Sequence, residues 1–325
     1  DAKKEVISRM KLHNIDCDFS PGIINATINR KDTNNLFDEV NNLKKKYQYT
    51  KIQKLSSSEL STIIDTDFYD GGCLDFGAGH LNPLKFVQGL GTAAKKNNVQ
   101  IFEKCCVEKI DYGKKNTISV SNGYTVVSDY LIIACNGYLG NLEPNISSRV
   151  MPINNFILTT EVLGNNLLNS FLNNNYAVAD NKFVPNYFRP SPDNRLIFGG
   201  GENYTYRFPK DIKTIVRKKM LKVYPQLKNT RIDFAWGGTL AVTRNRLPYF
   251  AKIQPNVFSA SGYSGHGVAL SVLAGKIIAE LIEGDSKRFN FMNNIPIKPF
   301  PGNSNFQWPL LVLGMLWYSL RDRFK

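Results

Sequence analysis

The sequence is poor in histidine. Among 325 residues it has three, His13, His80 and His266, too few and too scattered for a multi-histidine metal centre. Its five cysteines, Cys17, Cys73, Cys105, Cys106 and Cys135, are an odd number without metal-ligand spacing. Adjacent Cys105 and Cys106 make a poor disulfide pair, and a chain this long needs no covalent staple, so reduced thiols and a cytoplasmic setting are expected. No apolar run reaches the ~18–20 residues of a membrane span. No signal-peptide pattern is visible, and Asp at position 1 instead of Met reads as a start inside a longer sequence. Acidic residues are also short: 27 Asp and Glu against 41 Lys and Arg leave a net charge of +14. Such an excess invites nucleic acid or an anionic membrane. The basic residues are scattered, however, with Lys44–Lys46, Lys95-Lys96, Lys114-Lys115 and Arg217–Lys219 far apart. That pattern is a solvated basic surface, and neither nucleic acid nor membrane is expected as a partner.

What the sequence does have is a globular composition. Hydrophobic residues make up 42% and charged residues 21%, and the length allows a large core and two domains. The reading is anchored on Ser259–Gly284. Val257, Phe258 and Ala260 form a short apolar run of the kind that makes a buried strand. It ends in Gly262-Tyr263-Ser264-Gly265-His266-Gly267, a glycine-rich turn. Leu270, Leu273, Ala274, Ile277, Ile278 and Leu281 then recur at helical spacing on one face, and Gly284 is a natural stop. A glycine turn that opens a helix leaves unpaired N–H groups and the positive dipole end, which suit an anion or a ring that becomes anionic. The same geometry also occurs as a corner that packs and binds nothing, and the geometry alone leaves both open.

Elsewhere helices and strands mix. Val6, Ile7 and Met10 predict a helix over 1–14, Gly22–Ile28 a strand, and Leu36, Phe37, Val40 and Leu43 a helix closed by Lys44–Lys46. Ser56 and Glu59 have the spacing of a capping box. Asn82 and Pro83 can start a helix whose face is Leu84, Val87, Leu90, Gly91 and Ala94. Val99–Phe102, Val107–Ile110 and Leu131–Ala134 are predicted strands, and Asn122-Gly123 a hairpin turn between Thr117–Val120 and Tyr124–Val127. Beyond Met151, Asn181–Arg189 and Arg195–Gly200 flank a turn at Ser191–Asn194, with Pro185 placing the first strand at a sheet edge. Ile212, Ile215, Val216, Met220 and Val223 predict another helix, and the apolar run Pro309–Asp322 one packed on the body, with a membrane-surface anchor ending in Arg321, Arg323 and Lys325 as the alternative.

Gly262-Tyr263-Ser264-Gly265-His266-Gly267-Val268 resembles the carboxyl-terminal flavin motif of the D-amino-acid oxidase/glycine oxidase family of FAD-dependent oxidoreductases. The helix–strand–hairpin–strand order from Pro83 to Gly137 resembles the same family. So do Tyr187-Phe188-Arg189, Asp193–Gly200 and Trp236–Pro248, most nearly in its gamma-glutamylputrescine oxidase branch. The resemblance covers nearly the whole chain and implies an α/β (α+β) fold. It implies a truncated FAD/NAD(P)-binding Rossmann-like domain from 77–150 and 251–285, and an antiparallel-sheet substrate domain from 15–76 and 151–250; 286–325 would be a tail and helix. One departure stands out. The family opens with a βαβ unit carrying G-x-G-x-x-G for the FAD pyrophosphate, whereas Gly77-Ala78-Gly79 lacks the third glycine. That unit, at least ~30 residues, is expected upstream, and these residues alone are expected to bind FAD poorly, to aggregate and to be inactive.

By the same resemblance, Val107 would line the adenine, and Ala134, Cys135, Asn136 and Gly137 the ribose and pyrophosphate. Gly262, Tyr263, Ser264, Gly265, His266, Gly267 and Val268 would face the flavin ring. Family members of this type pass a hydride from the amine's α-carbon to the flavin; the imine leaves and hydrolyses, and dioxygen or another acceptor reoxidises the cofactor. His266 is then the titratable group nearest the ring, with Tyr187 and His80 as further catalytic candidates; a purely structural role is the alternative for each. Tyr187, Arg189, Trp236 and Leu240 would contact the substrate. Leu240 falls about where amino-acid oxidases fix a carboxylate with Arg, which implies an amine of the gamma-glutamylputrescine kind, its carboxylate far from the reacting carbon. The cysteine that tethers flavin in sarcosine-oxidase relatives has no counterpart after Cys135, so FAD is expected to be non-covalent. The alternative function is a non-catalytic or basic protein that binds RNA or an acidic partner on the same scaffold.

Overall fold

A computed structural model describes residues 1–164, 175–203 and 207–302, together with Pro309 and Val312. Its contacts divide the chain into two compact units. One comprises Asp1–Asp16, Pro83–Ile153 and the described chain from Thr239; the other comprises Cys17–Asn82 and Asn154–Gly238.

The strands in chain order are β1 Ser20–Thr27, β2 Ile52–Ser56, β3 Gly71–His80, β4 Val107–Asp111, β5 Asn116–Val120, β6 Thr125–Ser128 and β7 Leu131–Ile133. They continue as β8 Met151–Thr160, β9 Ala177–Asp180, β10 Tyr187–Pro190, β11 Leu196–Asn203, β12 Ile232–Val242, β13 Tyr249–Gln254 and β14 Val257–Ser261. The second unit is built on a sheet of order β12-β8-β11-β10-β9-β1-β3-β2. β1 runs parallel to β9 but antiparallel to β3, and β10 is antiparallel to both β9 and β11. Alternation along the strands sends Ile24, Val178, Phe188, Leu196 and Phe198 to one face. There they pack with Leu60 and Ile64 of the helix Ser57–Ile64 and with Val216, Met220 and Val223 of the helix Ile212–Val223. Phe188 stacks on Phe198 with centroids 5.4 Å apart and meets Tyr224 edge-on. Each of these buried side chains contributes about 1.5–3 kcal/mol. The odd residues between them, Tyr187, Arg189, Ile197 and Gly199, belong to the opposite face.

The first unit holds the smaller sheets β13-β14-β7 and β4-β5-β6. Every residue of β14 is buried, because Phe258 and Ala260 pack under the helix Gly267–Ile282 while Val257 meets Ile133, Leu139 and Val150 on the other side. Ala274, Ile277 and Ile278 are the buried stripe of that helix. The helix Ala2–Leu12 adds an ion-paired group: buried Glu5 binds Lys276 at 2.8 Å and Arg9 at 2.8 Å.

Local signals hold where side chains fix the backbone. Ser56 and Glu59 form a complete capping box. Gly123 takes φ +84° in the β5–β6 turn, donating to Val120 O at 3.0 Å. All five cysteines are free thiols. Four expectations need correction. The helix Pro83–Lys96 does not bury the predicted face: Leu84 and Val87 are 62% and 57% exposed, and its buried residues are Phe86 and Ala93. Val99–Phe102 forms no strand: Val99, Ile101 and Phe102 are 52%, 46% and 70% exposed and join no sheet of the described residues. The third predicted strand of that group, Leu131–Ala134, stops at Ile133, the last residue paired with β14. Pro185 does not mark an edge strand, because β10 starts at Tyr187, past the proline, and lies inside the sheet. β3, the strand that pairs with both β1 and β2, is glycine-rich and escapes a propensity reading. Its glycines are required by close approach: a Cβ on Gly72 would lie 2.7 Å from Asn25 O, and one on Gly79 2.7 Å from the Phe19 ring. Pro309–Asp322 lies outside the described residues apart from Pro309 and Val312.

Candidate active site

In the first unit the predicted turn is a knot of left-handed backbone. Gly262, Ser264 and Gly265 take φ of +69°, +51° and +95°. Gly262 N–H donates to Asn136 Oδ1 at 3.1 Å, and Asn136 itself has φ +48°. Ser264 N–H donates to Ala241 O at 2.9 Å, and its hydroxyl accepts from Thr243 N–H at 3.3 Å. A Cβ on Gly262 would sit 2.5 Å from Thr243 Cγ2. Gly137 faces the end of β12 just as tightly, its absent Cβ 2.8 Å from the Thr239 and Leu240 carbonyls. Thr239 N–H donates to the Tyr138 hydroxyl at 3.0 Å. Sequence-predicted Asn136, Gly137, Gly262, Ser264 and Leu240 are therefore joined in one cluster. Tyr263 is buried, donates to Ala260 O at 2.9 Å, and has its pKa pushed up to about 12 by burial.

The turn's outer side is open. Gly265 and His266 are exposed, Val268 is 48% exposed, and a Cβ on Gly265 would meet nothing within 4 Å. His266 occupies the N-cap of the helix Gly267–Ile282 without a capping side-chain bond, so its side chain satisfies none of the first-turn N–H groups. Ala134 is exposed, and the Cys135 thiol is pushed up by burial and by nearby Cys106. Val107 opens β4, half-buried, opposite Val120. An uncapped helix start above an open glycine turn is a fit for an electron-rich planar group.

In the second unit, Tyr187 lies over Gly199, where a Cβ would come within 2.0 Å of the ring. Its hydroxyl donates to Asn155 Oδ1, and Asn155 Nδ2 donates to Gly201 O at 3.4 Å. Burial, then the charge of Glu202, pushes the Tyr187 phenol well above its usual range. Asn155 and Gly199 carry no sequence motif, although a glycine inside a strand is itself a mark of close approach. Arg189, on the same face, donates to Pro190 O and Leu81 O, each at 3.4 Å. His80 Nε2 lies 2.7 Å from Asn175 O, and its pKa is lowered by burial, with the Arg189 charge adding to the effect. The structure thus groups His80 with Arg189. On β12, Phe234 and Trp236 are 60% and 45% exposed, and Ala235 between them packs on the core. Among the described residues no His, Cys, Asp and Glu cluster could hold a metal ion, and no helix is long and apolar enough to cross a membrane.

Residues 2–281 match the DAO family, FAD dependent oxidoreductase. The chain is 36% identical over 316 residues to gamma-glutamylputrescine oxidoreductase of Escherichia coli (strain K12), covering 97% of this chain and 74% of that protein. It is also 36% identical over 324 residues to the probable oxidoreductase OrdL of Rhizobium meliloti (strain 1021), covering 100% and 75%. Among solved structures, glycine oxidase from Geobacillus kaustophilus superposes with a TM-score of 0.76 at 18% identity, covering 91% of this chain and 80% of that one. L-proline dehydrogenase from P. horikoshii gives 0.72 at 18%, covering 88% and 79%. The chain belongs to the DAO family of FAD-dependent oxidoreductases. Its mixed α/β fold is that of the glycine oxidases.

Proposed function

We propose that this oxidoreductase oxidises an amine of the gamma-glutamylputrescine kind, in which the carboxylate lies far from the reacting carbon, with FAD held non-covalently. The observation that carries the reading is the even-numbered row of β12. Phe234, Trp236, Gly238 and Leu240 share one face by strand alternation, and none of them is a cation able to pair with a carboxylate beside the reacting carbon. Burying such a carboxylate unpaired costs several kcal/mol, whereas a neutral alkylamine suits an apolar wall. The 36% identity to a gamma-glutamylputrescine oxidoreductase supports the same substrate class.

FAD, when bound, supplies the two-electron acceptor for the amine's α-C–H bond. Gly265 to Val268 are the residues to hold its ring, because their outward N–H groups and helix dipole stabilise negative charge. Asn136 and Gly137 brace that turn from behind, through the Gly262 bond and the close contact with Leu240 O. Val107 and Ala134–Gly137 are assigned to the adenine and pyrophosphate side. His266, exposed at the helix start, tunes the ring electrostatically, and Tyr187 orients the amine. The electrons would leave to dioxygen or another acceptor. The test is a substrate panel on the full-length protein purified with FAD, following amine consumption. Turnover of a glutamylated diamine well above that of glycine or D-amino acids is expected, and the opposite ranking refutes the reading.

A further inference from the structure

Arg189 is a half-buried cation whose hydrogen-bonding capacity is largely unspent. A guanidinium has five N–H donors. Arg189 uses Nη1 toward Pro190 O and Nη2 toward Leu81 O, both at 3.4 Å, the long limit of a hydrogen bond. Among the described residues no carboxylate forms an ion pair with it, and Asp18 acts on it only through space. Arg195, at the start of the neighbouring strand, shows what a satisfied arginine looks like in this sheet. It binds Asp193 at 2.7 Å, Asp233 at 2.6 Å and Thr160 O at 2.8 Å. Burial without a counter-charge depresses the Arg189 pKa, so the fold bears a cost here that it avoids at Arg195.

The neighbour of Arg189 is complementary. Nη2 reaches the carbonyl of Leu81, the residue after His80, and the Arg189 charge is felt at the His80 ring. His80 Nε2 faces the Asn175 carbonyl, which can only accept, so that nitrogen carries the proton. With the ring neutral, Nδ1 is a bare acceptor, and it is buried without a partner among the described residues. The donor fork thus reaches the residue next to His80, whose Nδ1 lone pair is unused. Tyr187 lies two residues along β10 on the same face, roughly 7 Å away by strand rise.

We infer that Arg189 and His80 together read an α-amino-acid head at the far end of the substrate, Arg189 pairing with its carboxylate and His80 Nδ1 accepting from its ammonium. The inference rests on the amine-oxidase reading above and deepens it: the two charged groups of a glutamyl head are bound at a place other than the apolar row of β12. It also gives the chain a reason to distinguish a glutamylated diamine from the bare diamine, which has no carboxylate to offer.

Isothermal titration of the purified flavoprotein tests this with probes that lack the terminal amine of the diamine. They are γ-glutamylpropylamide, its α-carboxamide, and the glutaric monopropylamide that lacks the α-ammonium. The acid should bind at least about tenfold tighter than the carboxamide and several-fold tighter than the glutaric analogue. Arg189→Gln should collapse the first preference, Arg189→Lys should keep part of it, and His80→Phe should collapse the second. Circular dichroism and retained FAD report folding of each variant. Equal binding of acid and carboxamide by the unaltered protein overturns the inference even if no variant folds, and so does an undiminished preference in a folded Arg189→Gln. If the probes bind as expected but no amine is oxidised, the function reading falls while this site stands; if amines are oxidised with no preference for the carboxylate, this site alone falls.

Discussion

Placing a methyl group on Gly262 separates backbone strain from steric clash in the Gly262–Gly267 turn. Gly262→Ala forces an L side chain to φ +69°, which costs about 1–2 kcal/mol. Its Cβ also arrives 2.5 Å from Thr243 Cγ2. Thr243 is 1% exposed, so the methyl has little room to withdraw, and overpacking adds about 1–3 kcal/mol. The total is about 2–5 kcal/mol. Gly265→Ala is the control: φ is +95° but nothing lies within 4 Å of the added atom, so only the strain of about 1–2 kcal/mol applies. Thr243→Ser deletes the clashing methyl, costing about 1 kcal/mol by itself, and keeps the hydroxyl that donates to Leu247 O at 2.8 Å. In the double variant Gly262→Ala/Thr243→Ser the clash is gone, and a coupling of about 1–3 kcal/mol in its favour is expected. Urea unfolding of the four variants with FAD in excess measures all these quantities. If Gly262→Ala is no worse than Gly265→Ala, or the double variant shows no coupling, the described packing of the turn is wrong.

Three further outcomes follow from particular residues. Glu5→Gln should cost about 1 kcal/mol at neutral pH, since Lys276 and Arg9 are partly exposed and screened. The Glu5 carboxyl is held below its usual range, first by the Lys276 bond; its stabilisation is therefore complete above the ordinary carboxylate pKa and fades as pH falls through the lowered one. Unfolding at pH 7 and pH 3 should show the difference from the variant shrinking toward acid, and a growing difference contradicts the assignment. Acid precipitation should release all yellow colour to the supernatant, and colour retained in the pellet refutes non-covalent binding. His266→Ala should leave the melting temperature nearly unchanged, because the side chain is exposed and caps nothing, while slowing flavin reduction or reoxidation in stopped flow; a lowered melting temperature with unchanged rates assigns His266 a structural role.

Much of this fold is legible in the sequence where one period or one cap dominates. The Gly267–Ile282 stripe, the Ser56–Glu59 box and the Asn122-Gly123 turn are local statements, and local physics decides them. β3 is not local. Its glycines are fixed by what approaches them, the Asn25 carbonyl and the Phe19 ring, and those partners are distant in sequence. Val99–Phe102 fails for the converse reason, since apolar residues without a strand to pair with do not make one. At the candidate site the turn residues are visible as a motif, and Tyr187 and Arg189 by resemblance. Asn155, which takes the Tyr187 hydroxyl, and Asn175, which fixes the His80 proton, are ordinary asparagines until the sheet brings them into place.

The central claim is that the electrons come from an amine whose carboxylate is remote. Anaerobic titration of the yellow protein with a γ-glutamyl diamine tests it without an external acceptor. The account predicts full bleaching of the flavin by the glutamylated diamine and little or none by glycine or D-alanine. Bleaching by those amino acids, with the diamine inert, contradicts it.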